Sequence, residues 1–220
     1  MPSARARWPA SSGAAERHMS VVGIVPAAGA GERLGADVPK AFAVLGGRPM
    51  VEWSLDVLRE VCDRVVVAVP ADRVEPPDFV AGGATRSESV RNALDAAPEA
   101  SVVVVHDAAR PLVTVELVHR CLDALEGFDG AIAAVPVTDT LKEVEQGEIF
   151  GTPDRGRLWH AQTPQVFRAE SLRRATGEAT DDASLVEAMG GRVRVVEGTR
   201  DNFKVTTPFD VRVAEMLLAD

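Results

Sequence analysis

Cysteine is scarce in this chain of 220 residues, with only Cys62 and Cys121 present. Both fall on the apolar sides of predicted helices, which excludes a disulfide framework or thiolate metal site and fits reduced, buried thiols in a cytoplasmic compartment. Long hydrophobic runs are missing too. The best, VVVV at 102–105, gives way at once to His106 and Asp107, far short of the ~18 apolar residues that cross a membrane. No block of basic residues occurs and the formal net charge is -9, so the electrostatic footprint of a nucleic-acid-binding protein is lacking. Low-complexity tracts are likewise absent, and 46% apolar with 26% charged residues argues against a chain disordered throughout or a fibrous repeat. What remains is a chain long enough to bury the core of one domain.

Residues 1–19 (MPSARARWPASSGAAERHM) are rich in Ala, Ser and Arg and have no apolar signal-peptide core. They are expected to be a disordered tail, with Met19 as a candidate natural start, and a single domain is expected over 20–220. Removing the tail's three arginines and one glutamate from 24 basic and 33 acidic residues leaves the body at 21 against 32, a net of −11.

In that body, short β-branched runs at 21–25, 64–69, 101–105, 131–137 and 192–196 alternate with segments of helical period. This predicts an α/β fold, a mostly parallel twisted sheet with helices on both faces. Val51, Leu55, Leu58 and Cys62 mark one crossover helix; Leu117, Val118, Cys121, Leu122 and Leu125 mark another, between Thr114 and Gly127. A last helix is expected to start at Thr207 and Pro208, with Asp210 in its first turn, and to bury Phe209, Val213 and Met216. Two stretches break the rhythm. The adjacent prolines of ADRVEPPDFVAGG leave room only for a loop into a brief strand near 79–81. From Thr138 to Phe167 the turn signals QG and GTPDRG without helical period predict a projecting β-hairpin arm.

The first strand runs into a glycine-rich turn, VPAAGAGERLGADVPKAF, at 25–42. Small residues there let backbone N–H groups approach an anion; the alternative is a surface turn with chance charges. Two nucleotide-fold patterns fail. After Gly29 and Gly31 position 34 is Leu34, so GxGxxG is broken, and Lys40 follows Pro39 rather than a P-loop glycine. Only three of the 24 basic residues are lysines: Lys40, Lys142 and Lys204, each in a polar or turn-like stretch. A lysine is a compact point charge for a phosphate oxygen, and with Arg33 these would give an acidic body a local positive cluster. The run VVVVHDAARP puts His106, Asp107 and Arg110 at the carboxyl edge of the sheet, where open α/β sheets bind ligands. Asp107 suits a Mg²⁺ ion or a hydroxyl, or else forms a turn ion pair with Arg110. Thr180, Asp181 and Asp182 either take part in binding or cap the following helix. His106 and His160 lack partners at metal spacing and read as structural or orienting.

Taken in order, VPAAGAGERLG…VPK, GGATRSESV, VVHDAARP, VTDTLK, LWHAQTPQVF, TDDAS and NFKVT resemble the 2-C-methyl-D-erythritol 4-phosphate cytidylyltransferase family of non-mevalonate isoprenoid biosynthesis. The resemblance covers nearly all of 20–220. It implies a Rossmann-like, nucleotide-diphospho-sugar transferase-like fold, a homodimer through a projecting β-arm at about 138–167, and CTP and methylerythritol phosphate as substrates with Mg²⁺ as cofactor. Residue by residue it implies that Arg33 and Lys40 hold the CTP phosphates and stabilise the charge on the attacked phosphorus. Pro26, Ala27, Ala28, Gly29, Gly83, Ala84, Arg86, Ser89, Asp107 and Ala108 would contact the nucleotide. Asp107, Arg110, Thr140, Lys142, Thr180 and Lys204, with Arg155 from across the dimer, would contact the phosphorylated polyol. Asp107 is the implied metal ligand. The chain departs from some relatives at Ala84, where they have an acid, and in a short loop after Pro70. Two other readings share these motifs: a ribitol-5-phosphate cytidylyltransferase and a non-catalytic nucleotide-binding protein on the same fold.

Overall fold

In the computed structural model, which describes residues 19–29 and 38–219, the runs expected to be strands lie side by side in one sheet. The strands are β1 (Val21–Pro26), β2 (Val44–Leu45), β3 (Arg48–Pro49), β4 (Arg64–Val69), β5 (Phe79–Ala81), β6 (Val102–Val105), β7 (Gly130–Pro136), β8 (Glu143–Glu145), β9 (Glu148–Gly151), β10 (Trp159–Arg168) and β11 (Val193–Glu197). The helices are α1 (Met50–Val61), α2 (Arg86–Asp95), α3 (Val115–Asp123), α4 (Ala169–Arg174), α5 (Asp182–Ala188) and α6 (Pro208–Ala219). The expectations for residues 1–18 and for Arg33 lie outside the described residues.

The seven-stranded sheet has the order β11-β7-β10-β6-β1-β4-β5. Every neighbouring pair is parallel except those of β10, which runs antiparallel to both β6 and β7. Alternation of side chains across the pleat sorts the valines into two cores. Val25, Val65, Val67, Val102 and Val104 face α1 and α3, where Leu55, Leu58, Val118 and Cys121 meet them. Val22, Ile24, Val66, Val103 and Val105 face α2, α4 and α5, against Leu94, Leu172 and Val186. Both faces being covered, the strands need no polar side, which is why they read as unbroken apolar runs. Burial pushes the Cys62 and Cys121 thiols up to about 12, so both are inert packing groups. Among the described residues no helix is long and apolar enough to cross a membrane.

Two expectations need correction. In α6 the buried position is Ala214, with Val211 and Leu218 packed on the same small core as Leu45, Met50 and Val205. Phe209 and Met216 are 63% and 71% exposed. The i, i+3, i+7 face of Val211, Ala214 and Leu218 is the one turned inward, because a small residue lets the helix approach the β2–β3 ribbon closely. The arm also ends earlier than Phe167. Only 138–158 leaves the sheet, with β8 and β9 as its hairpin, whereas β10 returns between β6 and β7. A strand paired on both sides at the sheet centre shows no alternation, so its polar start (Trp159–Gln162) looked like the continuation of the hairpin.

Candidate active site

Strand order reverses between β1 and β6: the chain goes from β1 outward to β4 and β5, then returns through α2 to β6 on the other side. The crevice outside the carboxyl ends of such strands is the ligand position of open α/β sheets. A cleft of about 440 Å³ opens there. It is lined by Pro26, Ala27, Ala28 and Gly29 after β1, by Lys40 and Ala41, by Gly83 through Arg86 with Ser89, by Asp107, Ala108 and Ala109 after β6, and by Lys204.

The two sides of the cleft are built from small residues for a steric reason. A Cβ on Gly82 would overlap the Ala28 side chain, and one on Gly83 would overlap Glu88. The turn then enters α2 through a capping box: Glu88 N–H donates to Thr85 Oγ1 at 3.2 Å, and the N–H groups of Ala84 and Thr85 donate to Glu88 Oε2 at 2.6 and 3.3 Å. These bonds satisfy helix N–H groups that otherwise lack partners. Ser89 lines the cleft, but its hydroxyl already accepts from Gly83 N–H (3.1 Å) and donates to the Thr85 carbonyl (3.0 Å). It shapes the turn.

The floor is a charged group of four. Asp107 Oδ1 accepts from Arg86 Nε at 3.1 Å and Oδ2 from Lys204 Nζ at 2.7 Å, while Arg86 Nη1 donates to Asp182 Oδ2 at 2.7 Å. Burial alone would raise the Asp107 carboxyl, but Arg86 and Lys204 outweigh it and hold it well below the usual carboxylate range. Arg86 is likewise driven upward, its two carboxylates outweighing its burial. Asp107 therefore pairs with Arg86 and Lys204; the turn ion pair with Arg110 considered from the sequence does not form.

The register of β10 against β7 shifts between Ala161 and Gln165. Such irregularities re-aim side chains, and Pro164, having no N–H, loses nothing by leaving the ladder. Thr163 Oγ1 accepts from Asp107 N–H at 3.0 Å and lies 3.0 Å from His106 Nδ1. His106 Nε2 lies 3.1 Å from the Arg110 carbonyl. A carbonyl only accepts, so the proton sits on Nε2 and the Thr163 hydroxyl donates to Nδ1. His106 is neutral and structural, as its sequence context predicted, and it pins the HDAAR turn.

Burial lowers the His106 pKa to about 4 from its ordinary 6.5. A base depressed in the folded state contributes stability that is complete above pH 6.5 and is lost as pH falls toward about 4. The full span amounts to about 3 kcal/mol. The expected result is a Tm that declines over that window in the wild type and declines less in His106→Gln; identical profiles for the two proteins would remove His106 as the cause.

Of the residues singled out from sequence, the cleft gathers Pro26, Ala27, Ala28, Gly29, Lys40, Gly83, Ala84, Arg86, Ser89, Asp107, Ala108 and Lys204. It does not gather Arg110, Thr140, Lys142, Arg155 or Thr180. Arg110 donates to the Asn202 and Ala161 carbonyls at 2.8 and 3.3 Å, tying the loop before Lys204 to β10. Lys142 donates to Thr152 Oγ1 at 2.8 Å within the arm, and Arg155 to the Thr138 carbonyl at its base. Thr180 is exposed, and Asp181 caps α5 by accepting from Ser184 N–H. Sequence reasoning missed Thr85 and Glu88, although the T-x-x-E spacing carries a capping-box signal. It also left Asp182 open between binding and capping; its partner Arg86 lies 96 positions away, and no local pattern reports such a pair.

Three cations and one carboxylate around a cleft of this size suit a ligand carrying several phosphates. Comparisons with known proteins agree. A family model described as 2-C-methyl-D-erythritol 4-phosphate cytidylyltransferase matches residues 21–220. Proteins of that name from Nocardia farcinica and Prochlorococcus marinus are 48% and 44% identical, over 93% and 89% of this chain and 96% and 97% of theirs. The crystal structure of the protein of that name from Thermus thermophilus superposes with a TM-score of 0.79 at 41% identity, covering 92% of this chain and all of the other.

Proposed function

Because the chain belongs to the 2-C-methyl-D-erythritol 4-phosphate cytidylyltransferase family, we propose that the switch-point cleft is where it joins CTP to methylerythritol phosphate. The protein is a nucleotidyltransferase of non-mevalonate isoprenoid biosynthesis. An oxygen of the methylerythritol phosphate attacks the α-phosphorus of CTP, the bond from that phosphorus to the bridging oxygen breaks, and pyrophosphate leaves with the electron pair. Both nucleophile and leaving group are phosphate anions, so no general base is required. What the protein must supply is alignment of two mutually repelling anions and positive charge where the five-coordinate transition state accumulates negative charge.

The observation that carries this reading is the convergence of Lys40, Arg86 and Lys204 on one cleft in an acidic protein. Lys40 is assigned to the triphosphate, together with Arg33, seven positions earlier in the sequence. Pro26 to Gly29 and the turn of Gly83 and Ala84 are assigned to the nucleoside. With Ala84 lacking a side-chain acceptor and the single Ser89 O–H already donated to the Thr85 carbonyl, discrimination of cytosine is assigned chiefly to main-chain groups. Lys204 is assigned to the acceptor phosphate; Arg110, Thr140 and Thr180, with Lys142 as support, do not line the cleft and are assigned to the acceptor by the family resemblance alone.

Asp107 is the one carboxylate lining the cleft among the described residues. Each of its oxygens accepts one hydrogen bond, which leaves lone pairs on both. That fits Mg²⁺, an ion held largely by substrate phosphates and water with one or two carboxylates. When bound, Mg²⁺ would lower repulsion between the reactants and stabilise departing pyrophosphate.

The arm carries Val144, Ile149 and Phe150 exposed on an isolated two-stranded ribbon, which is unstable in water without further packing. A second copy of the chain would supply that packing and bring Arg155 to its neighbour's acceptor site. Mixing Arg155→Ala with Lys40→Ala protomers is therefore expected to restore part of the activity, read as pyrophosphate release; no recovery at any mixing ratio would exclude the shared site. Reduced thiols and the absence of a membrane-crossing helix among the described residues support a cytoplasmic enzyme.

The deciding experiment measures pyrophosphate release from CTP with methylerythritol phosphate beside ribitol 5-phosphate. Turnover is expected with the first; preference for the second would overturn the acceptor assignment, and turnover with neither would overturn the reaction.

A further inference from the structure

Arg86 is divided between two carboxylates in different surroundings. Asp107 faces the cleft, whereas Asp182 does not line it and is 1% exposed. Asp182 is the first residue of α5, and its place is fixed from the sheet centre. The N–H groups of Asp182 and Ala183 both donate to Gln165 Oε1 at 3.2 Å, and Gln165 Nε2 donates to Asp181 Oδ2 at 2.9 Å. Gln165 belongs to β10 at the point where its pairing with β7 resumes. A continuous chain of polar contacts thus runs from β10 through Asp182 and Arg86 to Asp107 and Lys204.

A guanidinium with a single carboxylate neighbour frequently closes on it with two parallel bonds. On Asp107 that geometry would bring a second guanidinium N–H onto Oδ2, where it competes with Lys204 for position. With Nη1 drawn toward Asp182, Arg86 meets Asp107 through Nε alone, and Oδ2 is held by Lys204. We propose that Asp182 is a positioning residue for cytidylyl transfer. By anchoring the outer end of Arg86 it keeps Asp107 from being closed off by the guanidinium and holds Lys204 at the angle from which it meets the acceptor phosphate. The inference rests on the assignment of this cleft to CTP and methylerythritol phosphate.

The test is a double-mutant cycle of Asp182→Asn and Arg86→Gln, with steady-state kinetics for each substrate and a Tm for each protein. Asp182→Asn keeps the shape and removes the charge. It is expected to raise KM for methylerythritol phosphate about ten-fold, the size of one charge-assisted hydrogen bond, with KM for CTP changed less than two-fold. In the Arg86→Gln background the same change should add nothing, because the guanidinium it restrains is gone. A role confined to supporting α5 predicts instead that the two losses multiply, and that outcome overturns the proposal. So does a folded Asp182→Asn with unchanged kinetics.

Should Asp182→Asn fail to fold because Arg86 loses its buried partner, the neutral double variant keeps the question open to measurement. Kinetics equal to those of Arg86→Gln support the inference; a further loss overturns it. Wild-type protein measured in parallel separates the two readings: turnover there with an unaffected Asp182→Asn sinks this inference alone, whereas no turnover in the wild type sinks both.

Discussion

Lys40→Ala is expected to lower kcat by about 10²- to 10³-fold while Tm stays at the wild-type value, the effect of removing one preorganised donor from a developing oxyanion. Lys40 opens a 3-10 turn, Lys40–Phe42, directly after Pro39. Proline fixes its own φ and the turn is short, so the Lys40 backbone is a stiff base for the side chain. Ala41 behind it is buried in the core that holds α1 and α3. Lys40 lines the cleft together with Pro26 to Gly29 and Lys204. Negative charge on the α-phosphorus oxygens grows only as the fifth bond forms, so a cation placed there acts more on the transition state than on bound CTP. The loss should thus appear equally in kcat and kcat/KM, with KM for CTP little changed. Lys40→Arg keeps the charge but replaces a compact ammonium by a planar fork and is expected to recover only part of the rate. A kcat within two-fold of wild type in Lys40→Ala would remove this residue from the chemistry.

Phe167→Ala is expected to cost about 3–5 kcal/mol of stability, the range for truncating a buried phenylalanine. In a domain of this size that lowers Tm by roughly 10 °C. Phe167 is fully buried on β10, paired to Val103 of β6 and Gly130 of β7. Its ring fills the space where a Cβ on Gly130 would overlap it, so glycine at 130 and phenylalanine at 167 are one packing unit, and truncation leaves a cavity that backbone on either side cannot close. This measurement also separates the two placements of the segment. A residue at the tip or flank of an exposed arm would change stability by less than about 1 kcal/mol on truncation; a loss that small would contradict a central β10.

The strand runs, the crossover helix placed between Thr114 and Gly127, the start of α6 and the trimmed connection before β5 were all readable locally, because period, capping and proline act over a few residues. Much of the site was readable for the same reason: small residues after β1, the glycine pair before α2 and the HDAAR turn after β6 each mark a strand end in their own sequence. The inward face of α6 was not. Phe209 and Met216 are more apolar than Ala214, and only the closeness of the β2–β3 ribbon makes the smaller residue the buried one. Nor did any local pattern show that β10 enters between β6 and β7, since pairing across the sheet depends on strands that are distant in sequence.

The sequence by itself determined which segments are strands and helices and which residue types are available for phosphate chemistry; those properties depend on neighbours a few positions away. Tertiary structure alone decided how the charges are shared. Arg86, Asp107, Asp182 and Lys204 come from four separated segments, and whether each carboxylate meets one cation or two is fixed by the fold that brings the strand ends together.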